Sequence, residues 1–121
     1  MHASPDGWVI GGMAKGAGML APALATMLVV ITTDAVVEPA ALDAALRTAT
    51  GFTFDRTDSD GCMSTNDTVI ILSSGASGVC PQDAEFSEAL TGVCADLARQ
   101  LLADAEGSAH DIEVRVEGAA T

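Results

Sequence analysis

Read for hydrophobic and polar positions, the chain divides into short apolar runs separated by polar and glycine-rich segments. Trp8-Val9-Ile10 is apolar and is closed by Gly11-Gly12, which predicts a strand ending in a turn. Met27 through Thr33 is continuous and β-branched, without alternation. That pattern predicts a strand buried on both faces, ended by Asp34. Pro39 suits the first turn of a helix running to about Thr50, because Leu42, Ala45, Leu46 and Ala49 recur at helical spacing and Gly51 stops it. A polar segment from Asp55 to Asp67 leads into a second apolar strand, Thr68 through Leu72, followed by a Gly/Ser loop from Ser73 to Pro81. Asp83 can cap a long helix reaching about Asp104, with an apolar stripe of Phe86, Leu90, Val93, Cys94, Leu97 and Leu101. Gly107 breaks that helix. Ile112, Val114 and Val116 then alternate with Glu113, Arg115 and Glu117, the pattern of a half-exposed strand. The order β-β-α-β-α-β, without repeat or linker, describes one α/β domain. Two helices can cover one face of such a sheet, but the continuously apolar strands ask for cover on both.

Composition sharpens this picture. At 121 residues the chain suits a single domain, with 5 Lys plus Arg against 17 Asp plus Glu and a formal net charge of -12. That balance argues against nucleic acid, whose phosphates need clustered Lys and Arg, and against an anionic membrane surface. The 49% hydrophobic residues and a mean hydropathy of +0.36 argue against disorder. The aromatic content is only one Trp and three Phe, so the core must come mainly from Ala, Val, Leu and Ile. Such hydropathy in a short chain implies surface that something else covers.

Cys62, Cys80 and Cys94 are odd in number and lack CxxC spacing, which favours a reduced, cytoplasmic setting over a disulfide framework. His2 and His110 are remote in sequence from every Cys, so no metal site is expected. Cys94 reads as a small buried residue of the long helix. The apolar stretch from Ala17 to Ile31 contains Pro22 and falls short of the roughly 20 residues of a membrane helix. Ala23-Leu24-Ala25 looks like a signal-peptidase site, but Asp6, the late Lys15 and the diluting Gly16, Gly18 and Pro22 oppose a secretory leader. Gly16 through Ala21 matches GxGxxA, yet too few residues follow for a crossover helix before the next strand. Lys15 precedes its glycine, so there is no P-loop. Asp58-Ser59-Asp60-Gly61 resembles part of a calcium loop, but alignment on Gly61 puts Arg56 at the first ligand position and no Glu at the twelfth.

One junction survives. In Ala25-Thr26-Met27-Leu28 a hydroxyl stands at the mouth of an apolar strand, just after a Gly/Pro/Ala-rich loop. Threonine becomes a good nucleophile when its own free α-amine serves as base. In model peptides that amine has a pKa of roughly 8. It exists only if the Ala25-Thr26 bond is cut, and the Thr26 hydroxyl could cut it by attacking the Ala25 carbonyl. The bland alternative is a threonine that simply starts a strand in a non-catalytic binding or interaction module. A third is a secreted chain processed after Ala25.

The run Gly11-Gly12-Met13-Ala14-Lys15-Gly16-Ala17-Gly18-Met19-Leu20-Ala21-Pro22, continued by Ala25-Thr26-Met27-Leu28, resembles the self-cleavage region of ornithine acetyltransferases. These are the bifunctional glutamate N-acetyltransferases of arginine biosynthesis. Thr32-Thr33-Asp34-Ala35 resembles the end of that family's nucleophile strand, Ser64-Thr65-Asn66-Asp67-Thr68 its STNDT motif, and Asp104-Ala105-Glu106-Gly107 its EG motif. The resemblance runs from about Trp8 to Ala119. It implies an α/β layered sandwich of the family's αββα (DmpA-like) arrangement, present here as an incomplete domain. Residues 1–25 would end the α-chain segment and residues 26–121 would begin the β-chain segment. The parent would be a hetero-oligomer of the two cleaved chains. The implied chemistry is ping-pong transfer of acetyl from N-acetylornithine to glutamate through a threonine acyl-enzyme. No cofactor is needed, although acetyl-CoA is a possible donor. By position, Thr26 is nucleophile and new N-terminus, and Lys15 and Glu106 bind substrate; Asn66 and Asp67 pin a loop. The family usually follows EG with Ala-Thr-Lys, where this chain has Ser108, Ala109 and His110, and more often shows DGDT where this chain reads Asp60-Gly61-Cys62-Met63. Family members are far longer. Their oxyanion-hole Thr-Gly pair lies upstream of these residues, and further substrate-binding residues lie near their C-terminus. The expectation is therefore a segment straddling the cleavage site, with little or no activity in isolation.

Overall fold

The computed structural model describes residues 1–16, 27–57, 66–104, 110 and 112–118. Four strands, β1 (His2–Ala3), β2 (Val9–Lys15), β3 (Leu28–Thr33) and β4 (Thr68–Ser73), form one sheet in the order β1-β2-β3-β4. The first two pairings are antiparallel. The third, β3 with β4, is parallel, as expected of strands joined through a crossover helix. That crossover carries α1 (Pro39–Phe52) and a single 3-10 turn (Phe54–Arg56), and α2 (Asp83–Ala103) follows β4.

The helices cover one face of the sheet. Ile10 of β2 and Val29 and Ile31 of β3 point into a core completed by Ala45 and Ala49 of α1 and by Phe86, Leu90, Val93, Cys94 and Leu97 of α2. Each fully buried large aliphatic side chain there contributes about 1.5–3 kcal/mol. Cross-strand register follows the same alternation, with Ile10 opposite Thr33, Gly12 opposite Ile31 and Ala14 opposite Val29. A Cβ at Gly12 would lie 3.1 Å from the Leu97 side chain and 3.2 Å from the Val30 carbonyl oxygen, so only glycine lets α2 approach β2 this closely.

The sheet departs from the expectation of two-sided burial. Val9, Met13, Leu28, Val30, Ile70 and Leu72 all face away from the helices, with Met13 74% and Leu72 57% exposed. An unbroken apolar run does not specify when or by what its second face is covered, and within these residues nothing covers it. The terminal alternation also differs from its reading. Residues 112–117 form no strand, and Ile112, Val114 and Val116 lie exposed, because alternation marks a face but a strand also needs a partner for its backbone. Two glycines do not stop β2, which runs through Gly11 and Gly12 to Lys15. Likewise α1 passes Gly51, and the N-cap of α2 is Gln82 rather than Asp83, which lies inside the first turn where its charge suits the helix dipole.

Cys94 is fully buried, and desolvation pushes its thiol up to about 11, whereas Cys80 is exposed. A thiol-specific reagent at pH 8 should label Cys80 in the native chain and reach Cys94 only after denaturation. Fast native labelling of Cys94, read by peptide mass spectrometry, would contradict this packing.

Candidate active site

One end of the sheet gathers the elements that flank the candidate residues. Lys15, the last residue of β2, is exposed and pairs with Leu28, the first residue of β3, which in turn pairs with Thr68, the first residue of β4. Helix α2 runs alongside β2 in the same direction. The Phe86 ring sits 5.7 Å from that of Trp8, Leu97 lies over Gly12, and a Cβ at Gly16 would lie 3.1 Å from Leu101 Cδ2. The lengths agree, since a helix advances about 22 Å from residue 86 to 101 and a strand about 26 Å from 8 to 16. The C-terminal end of α2 therefore arrives beside Lys15 and Gly16. Glu106 follows only three residues after Ala103, where the helix ends.

The start of β3 is held on both sides of one residue. The Met27 N–H donates to Asp67 Oδ1 at 2.9 Å, and the Met27 carbonyl accepts the Thr68 N–H at 2.9 Å. Asp67 thus fastens the entry of β4 to the entry of β3, the loop-pinning contact its motif suggests. The opposite end of β3 is tied as well. Asp34 Oδ1 accepts the Val9 N–H at 2.8 Å, and Thr33 Oγ1 donates to the Val9 carbonyl at 2.7 Å. These side-chain ties at strand ends were not read from the sequence for Asp34 or Thr33; the only available sign was a polar residue closing an apolar run.

Of the candidate site residues, Lys15 is placed at this end. Ala25, Thr26 and Glu106 lie outside the described residues, as do Gly18, Pro22, Ser64, Thr65 and the acidic loop residues 58–63. The described residues nearest in sequence to Thr26 and Glu106, Met27 and the end of α2, thus lie at the same end of the sheet as Lys15, together with Asp67. No helix among the described residues is long and apolar enough to cross a membrane.

A mixed sheet with both helices on one face, an open apolar second face and a polar cluster at one sheet end defines an incomplete α/β layered domain. Its architecture resembles the crystal structure of the arginine biosynthesis bifunctional protein argJ from Bacillus halodurans, with a TM-score of 0.60 and 37% identity over 69% of this chain and 41% of that one. The ArgJ family profile matches residues 1–121, and the chain belongs to that family. Proteins named arginine biosynthesis bifunctional protein ArgJ are 69% identical in Streptomyces coelicolor and 68% in Streptomyces avermitilis, each over 116 residues, and the Mycobacterium tuberculosis protein of that name is 63% identical over 116. The matches cover 96% of this chain but only 29–30% of those relatives, so the chain spans under a third of their length.

Proposed function

We propose that these residues form the self-cleavage and nucleophile segment of an ornithine acetyltransferase acting in arginine biosynthesis. The family match carries this reading, and the convergence of Lys15, Met27 and the end of α2 on one sheet end supports it. Maturation starts when Thr26 Oγ attacks the Ala25 carbonyl carbon. The Ala25–Thr26 C–N bond breaks as an ester forms on Oγ, and the departing nitrogen takes up a proton to become the α-amine. Water hydrolyses the ester, leaving an Ala25 carboxylate and a free Thr26 hydroxyl.

In turnover the α-amine accepts the hydroxyl proton while Oγ attacks the acetyl carbonyl of N-acetylornithine. Ornithine leaves with a proton on its nitrogen, and the amine of glutamate then takes the acetyl group from the threonine ester. The Lys15 ammonium suits a substrate α-carboxylate, and a carboxylate at Glu106 suits a substrate ammonium. The acceptor and donor are small molecules. Acetyl-CoA could deliver the same acetyl group, and the two cleaved chains would stay associated in the cytoplasm.

The test is a chimera in which the 116 matching residues of the full-length S. coelicolor relative are replaced by those of this chain. Mass spectrometry after cytoplasmic expression should find a new N-terminus at Thr26, with both pieces copurifying, and a single intact chain for Thr26→Ala. An uncleaved wild-type chimera would leave Thr26 a structural residue. Loss of the first piece only on export would point to signal processing instead.

A further inference from the structure

We propose that Asp67 is a positioning residue for the nucleophile, acting through the peptide link between Thr26 and Met27; this rests on the reading of Thr26 given above. The N–H that Asp67 Oδ1 accepts at 2.9 Å belongs to that link. A peptide link is planar, so a hold on its N–H is a hold on the bond through which Thr26 is attached. The other side of Met27 is held by the Thr68 N–H, which donates to its carbonyl at 2.9 Å. Two bonds from consecutive residues of one chain segment, one from a side chain and one from the backbone, therefore set the orientation of Met27.

The side-chain bond matters most after cleavage. A free chain end frays unless it is tied down, and Thr26 would then be the end. Backbone pairing in the β3–β4 ladder begins at Leu28 with Thr68, so the Met27 N–H lies just outside that ladder. Asp67 supplies the acceptor there. A negatively charged acceptor strengthens such a bond, but an amide oxygen on the same stem can accept it too. Asp67 touches neither substrate nor reacting atoms in this scheme. Its effect is to keep the Thr26 hydroxyl in attacking geometry, where displacement by about 1 Å can cost on the order of 100-fold in rate.

The experiment uses the full-length S. coelicolor chimera and compares Asp67→Asn, Asp67→Glu and Asp67→Ala. Asp67→Asn keeps the acceptor and removes the charge. Asp67→Glu keeps the charge and moves the acceptor outward by one methylene. The expected order of cleavage rate and of kcat is wild type, then Asn, then Glu, then Ala. Asp67→Ala should fall on the order of 10- to 100-fold in kcat, with KM for N-acetylornithine within about threefold. Asp67→Asn should recover most of the rate. Asn as impaired as Ala would overturn the proposal, because charge and not the hydrogen bond would then be the operative property. So would an Ala variant with wild-type kcat. If Ala fails to fold, the contrast between Asn and Glu decides the matter alone. Thr26→Ala runs in parallel: if it still cleaves and transfers acetyl, the nucleophile assignment fails, whereas an inert Thr26→Ala beside an unimpaired Asp67→Ala sinks only the role of Asp67.

Discussion

In the full-length chimera, Thr26→Ala should lower acetyl transfer from N-acetylornithine to glutamate on the order of 10,000-fold or more, because on the proposed acyl-enzyme route it removes the atom that would carry the acetyl group. Among the described residues at this end of the sheet, neither Lys15 nor Asp67 can take its place. Lys15 is a cation whose ammonium, while protonated, has no lone pair to attack with, and the Asp67 carboxylate is engaged by the Met27 N–H. The same variant should also fail to cleave, so the two defects appear together. Thr26→Ser separates them from packing effects, since it retains a hydroxyl and should retain measurable cleavage. The pH profile gives an independent sign. On the proposed route the base would be the Thr26 α-amine, which works only when unprotonated and has a reference pKa of about 7.7–8.0. Transfer by the mature enzyme should therefore rise with pH through that range and fall as the amine protonates below it. A wild-type rate in Thr26→Ala, measured by isotope exchange between the two substrates, would end the acyl-enzyme reading.

The parts of the fold that were legible were those whose hydrophobic period is long enough to count. Helix α2 shows its stripe over about four turns, and Phe86, Leu90, Val93, Cys94 and Leu97 are indeed buried. The two-residue β1 has no period to read, and it was missed. The apolar runs of β3 and β4 announced strands but misreported their surroundings. Val30 and Ile70 face outward beside Val29 and Ile71, and nothing local distinguishes them. Ile112, Val114 and Val116 show the limit of alternation, which encodes a face but not the neighbour that would pair with it. For the candidate site the order is reversed. Composition and spacing singled out a hydroxyl at a strand mouth without distinguishing nucleophile from strand former, and the motif resemblance supplied Lys15, Thr26 and Glu106. What no local signal carries is that residues 15, 27, 67 and 101 meet at one end of the sheet. That depends on the β2–β3–β4 register and on α2 lying along β2.

Trp8→Ala should cost about 3–5 kcal/mol of folding stability, the range for removing a large buried aromatic and leaving a cavity. Trp8 is fully buried where the β1–β2 hairpin meets the first turns of α2. Its ring lies 5.4 Å from His2 and 5.7 Å from Phe86, and its carbonyl accepts the Ser4 N–H at 2.8 Å across the hairpin. Small domains hold only about 5–15 kcal/mol in total, so this loss removes a large share of it. The indole has one weakness: among the described residues Nε1 finds no hydrogen-bond partner. A buried unpaired donor costs about 1–3 kcal/mol. Trp8→Phe removes that donor while keeping a six-membered ring against Phe86, so its loss should be less than half that of Trp8→Ala. Urea unfolding followed by far-UV circular dichroism measures all three chains, because the single Trp is absent from both variants. A loss below about 1 kcal/mol for Trp8→Ala would place Trp8 outside the core. Equal losses for Phe and Ala would mean that the indole N–H is paired, and that the tie between hairpin and α2 is a hydrogen bond rather than ring packing.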